Sequence, residues 1–423
     1  MKHLLHFLVI FFTLSSNIHS QTSNAIEEQA YIAFNNNNYT KALALYNKLI
    51  ISEPKEAQYY TRRAYCYYYT KSFEKAISDC GKSLLLDNSI ANKTFVLKMR
   101  ADCNFLLEKW EDALKDYDNY LEYYFDDIKA NKLKAEVLFK LNKYKESIEN
   151  LKFLLKYKGE YNIEIEDKVD IYTLLGFNYI NLDSIESSKL FYNKALSFDS
   201  TGTNLLYLFA QICDVEEDYK TEINAYNKML LKDSSLYFAV YFRAQAYYNS
   251  KQYGMAIKDF KTSKKYFPKN HKLYYMLGNA EMENKNYFNA QQSYKVCIKL
   301  NPKSSTYYNQ AGWCCFLMKN YKEGLIYANQ AVLIDKKNGN ATDTRGCIYY
   351  RLGDYKNSIK DFDKSIAIDS TIANSYYFRG LVYTKIHNKI NACSDWNFLL
   401  KLKDYVVLEG EKPIEQLLRE NCE

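Results

Sequence analysis

Few residues in this chain are placed to do chemistry. Of five histidines, His3, His6 and His19 fall within the first twenty residues, which leaves His271 and His387 far apart in sequence. The HExxH, GxSxG and phosphate-loop glycine patterns are absent. The ten cysteines (Cys66, Cys80, Cys103, Cys213, Cys297, Cys314, Cys315, Cys347, Cys393 and Cys422) match no zinc-ligand spacing. Most of them fall in helical positions and read as small buried apolar side chains. The best disulfide candidate is Cys393 with Cys422, which would pin a C-terminal helix to the hairpin before it. Aspartate and glutamate are many, but their spacing is that of solvated helix faces. The expectation is no catalytic centre, no metal, no cofactor and no small-molecule substrate.

One charged pattern recurs. Arg63, Arg100, Arg243, Arg345 and Arg379 are each followed sixteen residues later by an aspartate: Asp79, Asp116, Asp259, Asp361 and Asp395. Where the arginine is replaced, as by Lys134, Leu175 or Leu277, the aspartate is missing too. A guanidinium fork suits a bidentate carboxylate. These ten residues are therefore expected to form structural bridges between two helices of one hairpin.

The elements that carry these residues repeat. The unit Gly339–Ile372 has two helical patterns of period near 3.6 either side of the turn Gly353-Asp354. A small residue recurs in register with Gly346, at Ala30, Ala64, Ala101, Ala135, Gly176, Ala210, Ala244, Gly278, Gly312 and Gly380. From Gly176 onward the step is always 34 residues. An aromatic follows nine residues later in most units, from Tyr39 and Phe73 to Tyr321 and Tyr355. Three further on comes a second small column, including Ala42, Ala76, Ser147, Ser188, Gly324 and Ser358, broken by Glu222. Small columns fit helices whose backbones approach closely. One hairpin cannot bury its apolar stripe alone, so it needs stacked neighbours.

This pattern resembles the tetratricopeptide repeat family over roughly residues 23–403. The resemblance implies an all-α fold: a right-handed α-solenoid of about eleven 34-residue helix-turn-helix repeats. The units are expected near 23–56, 57–90, 94–127, 128–161, 169–202, 203–236, 237–270, 271–304, 305–338, 339–372 and 373–404. Residues 405–423, with Pro413, Ile414, Leu417 and Leu418, read as a C-terminal capping helix.

The resemblance also implies a non-catalytic scaffold that binds a peptide or protein in a concave groove lined by the first helices. Groove residues are expected one and four after each small residue and three before it: Tyr241, Gln245, Tyr248, Tyr275, Asn279, Asn309, Trp313, Phe316, Tyr350 and Tyr377. Two readings of these aromatics stand, contact with a partner and packing against neighbouring helices. Lys272, Asn279 and Asn309 match only part of the Lys/Asn/Arg set with which family members hold a C-terminal carboxylate. The alternatives are a subunit of an envelope or secretion assembly bound through its convex face, and a carbohydrate-binding accessory protein.

Composition narrows the partners. The 57 basic and 50 acidic residues give a net charge of +7, and they are interspersed. No basic stripe for nucleic acid is present. Residues 1–20, with Lys2, the apolar run Leu4–Leu14 and a polar end at Ser20, read as a secretory signal peptide. An uncleaved anchor is the other reading. The expected location is the periplasm or cell surface of a bacterium, with membrane association only through a partner.

Overall fold

The computed structural model describes residues 24–158, 162–402 and 411–422. The expected signal peptide, 1–20, lies outside the described residues, as do 403–410 of the C-terminal segment. Among the described residues the fold is all-helical, with twenty-three helices. The chain divides into two compact units, residues 1–212 and 213–423.

In the first unit, hairpins form from 24–35 with Tyr39–Ser52, Ala57–Tyr69 with Phe73–Leu86, Ile90–Leu106 with Trp110–Leu121, Ile128–Lys140 with Tyr144–Lys158, and Ile165–Ile180 with Ile185–Leu196. The division falls within the next helix, Thr203–Val215. The second unit continues with Tyr219–Lys232. Its hairpins are Tyr237–Asn249 with Tyr253–Ser263, His271–Glu283 with Tyr287–Leu300, Ser305–Leu317 with Tyr321–Ile334, Gly339–Leu352 with Tyr355–Ile368, and Ala373–Lys385 with Lys389–Leu399. A last short helix, Ile414–Asn421, closes it.

The columns explain the hairpins. The first small residue is buried in every one. Sixteen residues later stands a side chain that is aromatic in most and buried in all but one, the half-buried Tyr192: Tyr46, Tyr117, Tyr226, Phe260, Tyr294, Phe362 and Trp396 are fully buried. A Cβ on Gly346 would sit 2.8 Å from the Phe362 ring, so glycine is needed there for the ring to lie against the backbone. The serines of the second column stitch the same crossing: Ser147, Ser188 and Ser358 donate to the carbonyls of Ala135, Gly176 and Gly346.

The turns are equally regular. Seven residues after each small residue the backbone is left-handed, at Asn37, Lys71, Glu108, Asn142, Asp183, Glu217, Lys251, Lys285, Lys319, Gly353 and His387. Only one of these is glycine. Two residues on, each second helix starts, frequently capped by Asn or Asp: Asn38, Asp218, Asn286, Asp354 and Asn388 accept from the backbone of its first turn.

In both units several first helices of successive hairpins touch one another. Ser305–Leu317 meets Gly339–Leu352, which meets Ala373–Lys385. They therefore line a shared face, and this face positions the candidate site.

Candidate binding site

The five arginine–aspartate pairs are all bidentate within their hairpins. Arg243 donates through Nε to Asp259 Oδ2 at 2.7 Å and through Nη2 to Oδ1 at 3.1 Å. Arg63–Asp79, Arg100–Asp116, Arg345–Asp361 and Arg379–Asp395 repeat this geometry. All five aspartates are buried. A further arm was not legible from the pairs alone. Nη1 of Arg63, Arg243, Arg345 and Arg379 reaches back sixteen residues to Asn47, Asn227, Asn329 and Asp363 of the preceding hairpin. Lys134 makes the same backward reach to Asp118. Each such arginine clamps two hairpins.

The two histidines of the repeats lie apart. A His271 ring nitrogen lies 2.7 Å from the Tyr307 hydroxyl, while His387 sits in a left-handed turn. Among the described residues no cluster of three or more His, Cys, Asp or Glu side chains could hold a metal. Cys393 and Cys422 form a disulfide. The other eight cysteines are buried, and burial pushes the thiols of Cys66, Cys103 and Cys297 up to about 12, which leaves them unreactive.

The expected groove residues divide into three groups. Phe316 and Tyr377 are buried, not open to a groove. Phe316 packs edge-on against Phe378 and under Arg351. Tyr377 is covered by the chain's own C-terminal segment: its hydroxyl donates to the Lys412 carbonyl at 2.9 Å, and Arg351 pairs with Glu411 nearby. A second group is half-buried against neighbouring side chains. Tyr241 accepts from Gln245 and packs on Phe260, Tyr248 packs on Tyr253, Asn279 accepts from the Tyr294 hydroxyl, and Tyr350 lies between Tyr355 and Phe378.

The third group lines a cavity. Tyr275, Asn309 and Trp313 surround a space of about 420 Å³ together with Thr306, Gln310, Asn338, Asn340, Asp343, Thr344 and Asn374. Three successive first helices contribute most of these. Tyr275, Asn309 and Asp343 are equivalent positions, 34 residues apart, and so are Thr306, Asn340 and Asn374. Asp343 obeys the three-before-the-small-residue rule and should have been counted with the groove residues. Its signal is its column, not its type.

Half of the residues around this cavity have side-chain polar groups without a protein partner, while Asn338 donates to Ser305 and accepts from the Ala341 backbone. The side chains of Thr306, Asn309, Gln310, Asn340 and Asn374 make no hydrogen bond to the described protein; Thr306 and Asn340 are exposed, and Asn309 Oδ1 is an orphan acceptor shielded from solvent. Asn178 Oδ1 is likewise a buried amide oxygen without a partner, away from this cavity, whereas the Asn131 amide nitrogen donates to two carbonyls. Asp343 is only 4% exposed. Its Oδ1 accepts from Ser375 Oγ at 2.6 Å, and Oδ2 has only the Cys347 thiol at 4.0 Å. Burial without a cation pushes the Asp343 carboxyl up to about 7.

A cavity of about 510 Å³ in the first unit makes a useful contrast. It is lined by Tyr65, Tyr68, Tyr69, Phe95, Tyr120 and Tyr124, with Lys98 and Asp102. There the charged residues Lys98 and Asp102 and the Tyr120 hydroxyl already have partners. Lys98 and Tyr120 both bond Asp127, and Tyr117 donates to Asp102. The rings also pack on one another, Tyr65 on Tyr69 and Phe95.

Tetratricopeptide-repeat family models match residues 28–90, 169–201, 271–304 and 344–372. The chain is a tetratricopeptide repeat protein. Such repeats form scaffolds typical of protein–protein interaction. Over 133 residues this repeat protein is 31% identical to RNA polymerase II-associated protein 3 of Mus musculus, covering 31% of this chain and 19% of that one. The Homo sapiens protein of the same name is 31% identical over 106 residues, covering 25% and 16%. The chain spans less than a fifth of the length of these curated relatives. Among solved structures, a tetratricopeptide repeat protein from Parabacteroides merdae aligns with a TM-score of 0.48 at 17% identity, over 60% of this chain and 99% of that one.

Proposed function

We propose that this protein is a non-catalytic scaffold that holds an extended segment of a partner protein along the first helices of its second unit. The observation that carries this reading is the row of unpaired side chains around the 420 Å³ cavity. Thr306, Asn340 and Asn374 repeat once per hairpin. Packed helices lie ~8–10 Å apart, and three residues of polyproline II backbone advance ~9 Å. One side chain per hairpin therefore meets every third residue of an extended chain, and an amide both donates to and accepts from a peptide group. Peptide recognition through main-chain hydrogen bonds and side-chain pockets is an established physical mode.

A second reading is favoured by one observation. Trp313 beside Asn309, Asn340 and Asp343 also offers a ring and hydrogen-bonding groups to a sugar. The two readings are separated by affinity capture from a native envelope fraction, comparing the wild type with an Asn340→Ala, Asn374→Ala variant of unchanged helicity. The expected result is a protein retained by the wild type and lost by the variant. A protein retained by both places the contact on the convex face or the ends. Binding of oligosaccharide in place of protein supports the second reading. The location we propose is extracytoplasmic, supported by the signal-like residues 1–20 and by the disulfide, which oxidising compartments maintain. Fractionation with thiol alkylation tests it: protein in the cytosol with both thiols free would contradict it.

A further inference from the structure

The cavity in the second unit has a charge preference that the groove reading does not contain. Its ten lining residues include one carboxyl group, that of Asp343, and no lysine or arginine. Its shielded groups are acceptors. Asn309 Oδ1 has no partner, and Asp343 Oδ2 has only a distant thiol. A buried acceptor left without a donor costs ~1–3 kcal/mol, and more when it is charged. Donors alone relieve that cost, and the neighbouring Asn340 and Asn374 amides stand a hairpin or two further on. Trp313 shares a helix face with Asn309, four residues on, and presents its ring to the same space.

We infer that this cavity takes a basic side chain of the bound segment, arginine in preference to lysine. The guanidinium carries five donors and no acceptor, which suits Asn309 Oδ1 together with a carboxylate. Its flat face stacks on Trp313, and a cation over an indole ring adds to the attraction. The equivalent positions in the flanking hairpins are Asn309 and Tyr377, so an acid at 343 is no requirement of the repeat. This inference rests on the groove reading and sharpens it.

The test uses the full chain labelled with ¹⁵N and four peptides, Ac-Ala-Ala-X-Ala-Ala-NH₂, with X arginine, lysine, citrulline or glutamate. The reporter is the Trp313 indole N–H, assigned by its loss in Trp313→Phe. The arginine peptide is expected to shift it with an affinity on the order of 1 mM. The citrulline peptide, of the same shape without the charge, should bind at least about ten-fold more weakly. Asp343→Asn should bring arginine down to the citrulline level and leave citrulline unchanged. That variant removes a buried charge, so it should melt no lower than wild type at pH 8, which separates lost recognition from lost fold. Equal binding of arginine and citrulline, or arginine binding unaffected by Asp343→Asn, overturns the basic side chain and leaves the groove standing. No peptide response, with a chito-oligosaccharide shifting Trp313, overturns both.

Discussion

At the scale of single residues, this protein departs from its repeat in two informative places, Glu222 and Asp343. Glu222 occupies the second small column, where ten other hairpins carry Ala, Gly or Ser. It is buried, and Oε2 has no partner. Burial first, then the nearby Asp214 carboxylate, push its carboxyl up to about 8. The folded protein therefore binds more protons than the unfolded chain between the ordinary carboxyl value and about 8. Stability falls as pH rises through this window and levels off above it. Asp343 acts with the same sign up to about 7. Glu222→Ala is expected to raise stability by ~2–4 kcal/mol at pH 8 and by much less at pH 5. Thermal melts at both pH values check this, and parallel shifts at the two would contradict it. For the clamps, Arg243→Ala or Asp259→Ala should each cost ~3–5 kcal/mol, because each strands a largely buried partner. A double-mutant cycle should show coupling; additive losses would remove the bridge from the account.

At the scale of the helix and hairpin, much was legible and some was not. The register was readable because close approach of two backbones tolerates only Ala, Gly or Ser, whatever else varies. Gly346→Leu should cost ~1–3 kcal/mol, since even its Cβ crowds the buried Phe362 ring. An unchanged melt would place Gly346 outside the crossing. The left-handed turns were nearly invisible, because Lys, Glu, Asn, Asp and His occupy ten of them. These residues tolerate that backbone at a cost which glycine lacks. Lys319→Gly, at an exposed turn with φ 61°, should therefore raise stability by ~0.5–1 kcal/mol, measurable by urea unfolding. The groove was half legible. The column rule reached Tyr275 and Asn309 and was not carried through to Asp343. It also assigned Phe316 and Tyr377 to the groove, because periodicity does not show that Phe378 and the segment at Lys412 cover them.

At the scale of the molecule, two features define the second unit: a row of unpaired side chains on its first helices, and a C-terminal helix fixed across its end. That helix buries Ile414 and Leu417 and is tied by Cys393–Cys422, a link spanning 29 residues. Cross-linking at that separation contributes ~3–4 kcal/mol. The Cys393→Ser, Cys422→Ser variant should unfold correspondingly earlier in guanidinium. A variant as stable as wild type would reduce the cap to decoration. The central claim is that partners are held on the first helices by the groups around Asn309. It is tested most directly by placing a photo-cross-linking amino acid at position 340, on that face, and separately at exposed position 333 on a second helix. The account predicts a partner adduct from 340 and none from 333. An adduct from 333 alone would contradict it.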